Sequence, residues 1–483
     1  MTQSIIIQVG QCGNQIGYRF WDAALKEHSS VNKEGVCDES LSSFFENVDH
    51  HTGQTIPIDN GKHKIQQLKA RAVLVDMEEG VVNEIMKSSL RNIFDNQQLI
   101  TDVSGAGNNW AVGHYEYGEK YRGKISEVIR KTVEKCDCLQ CFFCIHSMGG
   151  GTGSGVGTYV LRLLQDEYAD VFRFVTAVYP SEDDDVITSP YNSALAMYQL
   201  TQGSDAVIPI ENQALMNIVK RITQHAPKKT GKRTFANTGG LSGFQSKTIN
   251  NIKTNQDDKK EKPFDSMNNI VADLILNLTS SSRFEGSLNV DLNEISMNLV
   301  PFPKLHYLTS SITPLYSLSN IHMPPRRLDQ MFTDAFSKDY QLLQADPKHG
   351  LYLACSLMLR GDVEISDIRR NIDRLRTNLN FIYWNQEGWK TGLCSIPPVD
   401  QHRSLLALSN NTCMQHSCLD IRNRFMKLYK RKAHIHHYTK IGGFEDSLFT
   451  ESIESLDWLI SEYETLESTV LNPPQCVERL QIA

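Results

Sequence analysis

Nine consecutive residues, Gly149-Gly150-Gly151-Thr152-Gly153-Ser154-Gly155-Val156-Gly157, contain six glycines and two side-chain hydroxyls. Such a run cannot fill a core or propagate a helix. Each glycine gives up conformational entropy that only an unusual backbone path or a close ligand approach offsets. Leu139 to His146 before it reads as a buried strand, and Val160 to Leu164 after it continues as an amphipathic helix. Strand, glycine loop and helix N-terminus together make an anion site, because free amides and the helix dipole face the incoming charge. The implied chemistry is phosphate binding, and the implied ligand class is a nucleotide. Both flanks are apolar, which separates this run from a Gly/Ser linker.

Two common phosphate loops do not fit. The P-loop needs a lysine that reaches the β- and γ-phosphates, yet no lysine lies between Lys135 and Lys220. The dinucleotide pattern G-x-G-x-x-G fails because from Gly151 the glycines fall on every second residue. Backbone amides and hydroxyls must therefore hold the phosphates, which makes Ser147, Gly151, Thr152 and Gly153 the candidates for β/γ contacts. Gln11 and Cys12 open the helix after the first strand, where their amides can meet α/β-phosphates. Glu78, just past a strand end, is placed to hold Mg²⁺ through water, with Asp76 assisting. The competing reading of Glu78 is an acid that complements a helix dipole.

Elements that would position these groups alternate over the first 212 residues. Ile5 to Ile7, Val73 to Asp76, Phe142 to His146 and Phe174 to Val178 read as buried parallel strands. Gln11, Glu78, Asn108 and the glycine loop all occupy turns after strands, so one pocket at the carboxyl edge of a sheet can collect them. Met267, Ile270, Val271, Leu274 and Leu278 have helical spacing and predict a long central helix beginning near Phe264. Between about residues 220 and 262 the pattern dissolves into a lysine-rich stretch with few large apolar residues. It reads as a basic loop, either a solvated spacer or a docking segment for an acidic partner. Mixed strands and helices follow Gly286, and a last helix places Phe449, Ile453, Leu456, Ile460 and Tyr463 on one face.

At 483 residues, with 40% hydrophobic and 22% charged side chains, the composition is that of an ordinary soluble chain of two or three domains. A net charge of −7 argues against general nucleic-acid binding, and no apolar run is long enough to span a bilayer. Eleven cysteines without a secretion signal read as reduced thiols in a cytosolic protein. Cys136, Cys138, Cys141 and Cys144 suggest a metal centre, but strand alternation sends Cys141 and Cys144 to opposite sheet faces. His434, His436 and His437 likewise lack a carboxylate or cysteine at ligand spacing.

The glycine loop resembles that of the tubulin and FtsZ superfamily, and further segments resemble tubulins in collinear order. These are Gln8 to Gly17, Gly105 to Ala111, Pro190-Tyr191-Asn192, Asn298 to Pro303 and Arg431 to Tyr438. The likeness runs from residue 1 to about residue 468 and is strongest to the epsilon branch, through Glu387-Gly388-Trp389-Lys390-Thr391, the insertion and the altered tail. It implies an α/β, tubulin/FtsZ-like fold. A Rossmann-type parallel-sheet GTP-binding domain would span 1–212, the central helix and a mixed α/β intermediate domain 213–415, and a C-terminal helical region 416–483. It also implies GTP and Mg²⁺ as cofactors.

Gln15 and Asn108 join the nucleotide contacts on the same resemblance, and Asn212 and Asn268 match guanine-contacting asparagines. Phe264 stands where a stacking tyrosine is usual, which keeps the ring face and loses the hydroxyl. Asp185 is the candidate ribose contact, while Ser189 replaces a familiar glutamate. Asp291 and Glu294 are three residues apart, so one helical turn brings both carboxylates to one face. Their segment resembles a catalytic loop that acts on the nucleotide of a neighbouring subunit. Without the resemblance they read as two surface acids on an N-terminal turn.

The resemblance further implies a cytoplasmic, cytoskeletal subunit of the centrosome. Its implied role is in centriole and basal-body microtubules, with delta-tubulin as partner, alpha- and beta-tubulin as further candidates, and centriolar proteins around it. No acidic run occurs at residues 472–483, so tail-based motor recruitment is not expected. Three functions compete: an assembly-dependent GTPase, a structural subunit that holds GTP without turning it over, and an oxidoreductase with an unusual Rossmann loop.

Overall fold

Ile5, Ile6 and Ile7 are all fully buried, which requires a strand covered on both faces. They lie in β1 (Gln3–Val9). The chain continues through β2 (Phe45–Val48), β3 (Thr55–Ile56), β4 (Gln67–Ala70), β5 (Ala72–Asp76), β6 (Leu99–Thr101), β7 (Leu139–Ser147), β8 (Phe172–Tyr179) and β9 (Ala206–Glu211). Six of these form one sheet in the order β6-β5-β1-β7-β8-β9, and every pairing in it is parallel. The strands β3-β2-β4 make a small antiparallel sheet of their own. The computed structural model describes residues 2–31, 38–58, 65–181, 184–225, 264–315 and 326–471. The basic stretch expected at 220–262 lies outside the described residues beyond residue 225, as does the segment 472–483.

Helices α1 (Gly10–Val31), α2 (Glu79–Lys87), α3 (Gly118–Glu134), α4 (Gly157–Glu167) and α5 (Ser189–Gly203) lie between the parallel strands, and α6 (Asn212–His225) follows the last of them. The sheet divides two cores. Ile5 and Ile7 enter one with Val160, Leu164 and Leu195, whereas Ile6 enters the other with Phe20, Trp21 and Met267. Cys144 and Cys141 follow the same alternation, one thiol in each core. That separation comes from the two-residue period of a strand and removes them from any common metal shell.

The central helix is α7 (Asp265–Leu278), followed by α8 (Ser280–Arg283). At fourteen residues α7 is shorter than α1, which has 22. Then come α9 (Leu292–Leu299), β10 (Leu308–Thr313), α10 (Leu328–Ala335), β11 (Tyr352–Gly361), α11 (Ile365–Arg376), β12 (Trp389–Cys394) and β13 (Arg403–Asn411). Their strands form a mixed sheet in the order β10-β13-β11-β12. The chain ends in α12 (Met414–Tyr429), α13 (His436–Thr439) and α14 (Ser447–Leu471). Phe449, Leu456, Leu459, Ile460 and Tyr463 of α14 are buried against the first core, with Ile453 partly buried beside them. No helix among the described residues is long and apolar enough to cross a membrane.

Three charged side chains tie α1 to the second sheet. Glu27 accepts hydrogen bonds from Arg283 at 2.6 Å and from Arg360 at 2.8 Å, and all three are buried. Arg283 also donates to the Leu276 carbonyl at 2.7 Å, and Arg360 donates to that of Ile396 at 3.1 Å. Burial alone would raise the Glu27 carboxyl, but the two guanidinium groups outweigh it and hold the group below the usual range. The stability this contributes is present above the ordinary glutamate pKa and is lost as pH falls through the depressed folded value. Glu27→Gln, which leaves two buried cations without a counter-charge, is expected to cost about 3–5 kcal/mol. Urea unfolding at neutral pH measures this, and an unchanged midpoint would show that the triad does not hold the two units together.

Candidate functional site

The turns after β1, β5, β6 and β7 meet at one edge of the parallel sheet, as the parallel topology requires. Gly10 begins α1 with φ of +73°, and a side chain there would lie 3.1 Å from the Gly153 amide nitrogen. The first loop therefore rests directly on the glycine loop. Asn14, one turn on, donates to the carbonyls of Gly10 at 3.0 Å and Val75 at 3.2 Å, which fixes the turn after β1 to the end of β5.

Two widened helical turns form the floor of the site, over Val112–Tyr117 and Thr152–Val156, both of π type. They pack backbone to backbone. A side chain at Gly155 would lie 2.4 Å from the Trp110 carbonyl oxygen and one at Gly113 would lie 2.4 Å from that of Gly151. Trp110 stacks on His114 at 4.5 Å and donates to Thr158 Oγ1 at 3.1 Å. Burial pushes His114 down to about 4, so it packs as a neutral ring. The amides of Gly149, Gly150, Gly151 and Thr152 have no hydrogen-bond acceptor among the described residues. They form a row of free donors at the start of a helix, as an anion site requires.

One side chain organises this cradle. Asn192, fully buried near the start of α5, donates from Nδ2 to the carbonyls of Gly149 and Asn108, each at 2.8 Å. Its Oδ1 accepts from the Trp110 amide at 2.9 Å and from the Tyr438 hydroxyl at 2.6 Å. All four hydrogen-bonding positions of the amide are used. Asn108 has φ of 54°, and its carbonyl also accepts from Thr188 Oγ1 at 2.9 Å. Residue type alone gives Asn192 no role beyond its place in the Pro190-Tyr191-Asn192 segment. Its signal was an asparagine one residue past the Pro190-Tyr191 pair that opens a helix.

The acid groups take distinct positions. Asp76 is buried at the end of β5, where Oδ1 accepts from the Glu78 amide at 3.3 Å and Oδ2 has no partner. Desolvation pushes its carboxyl up to about 6, and the nearby Glu78 charge adds to the rise. Glu78 is exposed, and its carboxylate fills the space where a side chain on Gly105 would sit. A buried orphan oxygen beside an exposed carboxylate fits a hard cation that retains water. Desolvation pushes the Cys12 thiol, at the first turn of α1, up to about 12, so Cys12 offers an amide and not a thiolate.

On the far side of α1, Asn268 Nδ2 donates to Gln15 Oε1 at 3.5 Å, and the Asn268 amide donates to the Phe264 carbonyl at 2.9 Å. Phe264 is 53% exposed, so its ring face is available for stacking. Asn212 is the half-buried first residue of α6. Ser147 ends β7 beneath Gly153. Asp184, and not Asp185, lies against the glycine loop: it accepts from Ser189 Oγ at 3.2 Å, and both border Gly149. Asp185 is exposed. Adjacent acids on a loop differ only in which way each points, and the sequence does not encode that directly.

Asp291 and Glu294 do not join this site through any contact among the described residues. Asp291 caps α9 with its backbone, where the Ile295 amide donates to its carbonyl at 3.1 Å. Glu294 is exposed and paired with Lys390 at 2.7 Å. Met297 on the same helix is 76% exposed, and the exposed rings of Phe302 and Trp384 meet edge to face at 5.6 Å.

Comparison with known proteins agrees with this architecture. The family description "Tubulin/FtsZ family, GTPase domain" matches residues 3–220, and "Tubulin C-terminal domain" matches residues 303–423. The chain belongs to the tubulin family. It is 60% identical to the tubulin epsilon chain of Homo sapiens over 487 residues, covering all of both chains. It is equally similar to the tubulin epsilon chain of Mus musculus over 488 residues. It is 31% identical to the tubulin beta-1 chain of Colletotrichum graminicola over 470 residues, covering 96% of this chain and 95% of that one. The glycine cradle described above is thus part of a tubulin GTPase domain.

Asn192→Asp replaces the two donors with acceptors, leaving the Gly149 and Asn108 carbonyls without them and burying a charge. It is expected to destabilise the fold by about 2–5 kcal/mol. The thermal midpoint checks this, and a midpoint within a degree of the parent would remove Asn192 from its organising role.

Proposed function

We propose that this tubulin-type subunit binds Mg²⁺-GTP on the glycine cradle and that hydrolysis is completed in trans, by a carboxylate pair supplied across a subunit interface. The observation that carries this reading is the separation within one chain. Free loop amides, Glu78 and Asp76 gather at one edge, whereas Asp291 and Glu294 stand on an exposed face flanked by Met297, Phe302 and Trp384. The glycine-loop edge carries exposed apolar groups of its own, Val103 at 86% and Ile187 at 64%. Two different apolar faces favour head-to-tail association, in which one copy's face covers the other copy's cradle.

In the bound state, the amides of Gln11, Cys12 and Gly149 to Gly153, with Thr152 and Ser147, would hold the phosphates. Gln15, Asn212, Phe264 and Asn268 would hold guanine, and Asp185 or Asp184 would face the ribose. Glu78 and Asp76 would keep Mg²⁺, which supplies charge neutralisation on the phosphate oxygens. Glu294 and Asp291 would orient the attacking water, a task of positioning more than covalent chemistry. Sixty per cent identity to tubulin epsilon chains over their full length supports a specialised subunit. We place it in the centriole and basal-body microtubules of the cytoplasm, with delta-tubulin and centriolar proteins as partners.

A second reading has its own observation. Glu294 is already engaged by Lys390 at 2.7 Å, so the carboxylate could serve the fold alone while GTP acts as a structural ligand. Glu294→Ala separates the two. The hydrolytic reading expects GTP turnover in assemblies containing the variant to fall on the order of 10²-fold or more, with GTP binding by the variant unchanged. Equal turnover by parent and variant assemblies would leave the structural reading.

A further inference from the structure

Between Asp420 and Glu445 the chain contains no acidic residue. Arg422 and Arg424 turn back to Asp457 and Asp420. Lys430, Arg431, Lys432 and Lys440 are exposed and have no ion-pair partner among the described residues. Among them stand His434, His436 and His437, the last two with ring centroids 4.0 Å apart. Lys430, Arg431, Lys432 and Lys440 thus carry charge of one sign that no ion pair among the described residues offsets.

The backbone beneath them is held rather than loose. Lys432 and His434 adopt φ of 50° and 61°, left-handed values that side-chain-bearing residues keep only when their surroundings over-determine them. Three hydrogen bonds do this. Tyr191 donates to the Ala433 carbonyl at 2.9 Å, Asn109 Nδ2 to the His437 carbonyl at 2.9 Å, and the Tyr438 hydroxyl to Asn192 Oδ1 at 2.6 Å. Each donor or acceptor on the inner side belongs to the glycine-loop architecture, and Asn192 itself holds the Gly149 carbonyl. A basic surface is thus one side chain away from the phosphate cradle.

We propose that residues 430–440 form a docking surface for an acidic, extended polypeptide segment of a partner protein. In this proposal Asn192 and Tyr438 are positioning residues that link its occupation to nucleotide on the glycine loop. The linkage rests on the GTP reading above; the docking does not. An acidic polypeptide suits the surface better than a nucleic acid. Tyr191 and Tyr438, the tyrosines beneath the segment, are buried and offer no platform for bases. Binding equilibria that share one element are reciprocal, so nucleotide should tighten the acidic segment by the same factor as the segment tightens nucleotide.

The test uses the full-length protein and a fluorescent oligoglutamate peptide, followed by anisotropy with and without Mg²⁺-GTP. The triple variant Lys430→Gln, Arg431→Gln, Lys432→Gln is expected to weaken peptide binding about tenfold, the combined loss of three exposed charges, while GTP binding is kept. Nucleotide-loaded protein is expected to bind the peptide at least about fivefold tighter than nucleotide-free protein. Tyr438→Phe is expected to abolish that nucleotide-dependent difference, with both forms of the variant binding the peptide equally. Peptide affinity unmoved by the triple variant would overturn the docking surface. An oligouridylate RNA that outcompetes the peptide would overturn the partner class. GTP bound with no change in peptide affinity would overturn the linkage alone. Peptide binding by a protein that never binds GTP would overturn the linkage together with the proposed function, and the docking surface would stand.

Discussion

Backbone must touch backbone at the carboxyl edge of the parallel sheet, and the absence of Cβ atoms there is the constraint on which the site depends. Gly10 lies on Gly153, Gly113 on Gly151 and Gly155, and Gly155 on the Trp110 carbonyl. No other residue type allows these approaches without displacing main chain. Their consequence is chemical: loops brought this close cannot bond one another's amides fully, and donors from Gly149 to Thr152 remain free. A phosphate cradle without a lysine follows from close packing of main chain and needs no charged side chain of its own.

That packing would be fragile without polar groups to fix it. Asn14 ties the first loop to β5, and Asn192 ties the glycine loop to the Asn108 turn and to Tyr438. Both are buried asparagines whose side-chain donors are spent on main-chain carbonyls. Farther away, Glu27 with Arg283 and Arg360 fixes the second sheet to α1. The exposed face of α9 is therefore held in a set position relative to the cradle. The proposed completion of hydrolysis across an interface requires each subunit to keep that geometry.

How far the sequence foretold this depended on how local each signal was. Ile5 to Ile7 and Phe142 to His146 were legible as strands because both sheet faces are covered, which leaves continuous apolar runs. The three residues of β6 and the Pro209-containing β9 gave no comparable pattern, and they form because neighbours in the sheet pair with them. In the site, the glycine loop announced itself through residue type alone. Asn192 and Tyr438 are 246 residues apart, so their bond had no local signature. The resemblance to tubulins named Gln15 and Asn268 as site residues, and their contact at 3.5 Å places them side by side. That Asp184 borders Gly149 while Asp185 faces solvent was not legible, because a loop carries no period from which side-chain direction can be read.

Under the proposed function, one chain holds the nucleotide but not the means to cleave it. The direct measurement is nucleotide extraction from purified, unassembled full-length protein after a chase with labelled GTP in Mg²⁺. Close to one labelled guanine nucleotide per chain, recovered as GTP, is the predicted result. Labelled GDP accumulating on the unassembled chain, or no guanine nucleotide at all, would contradict the account.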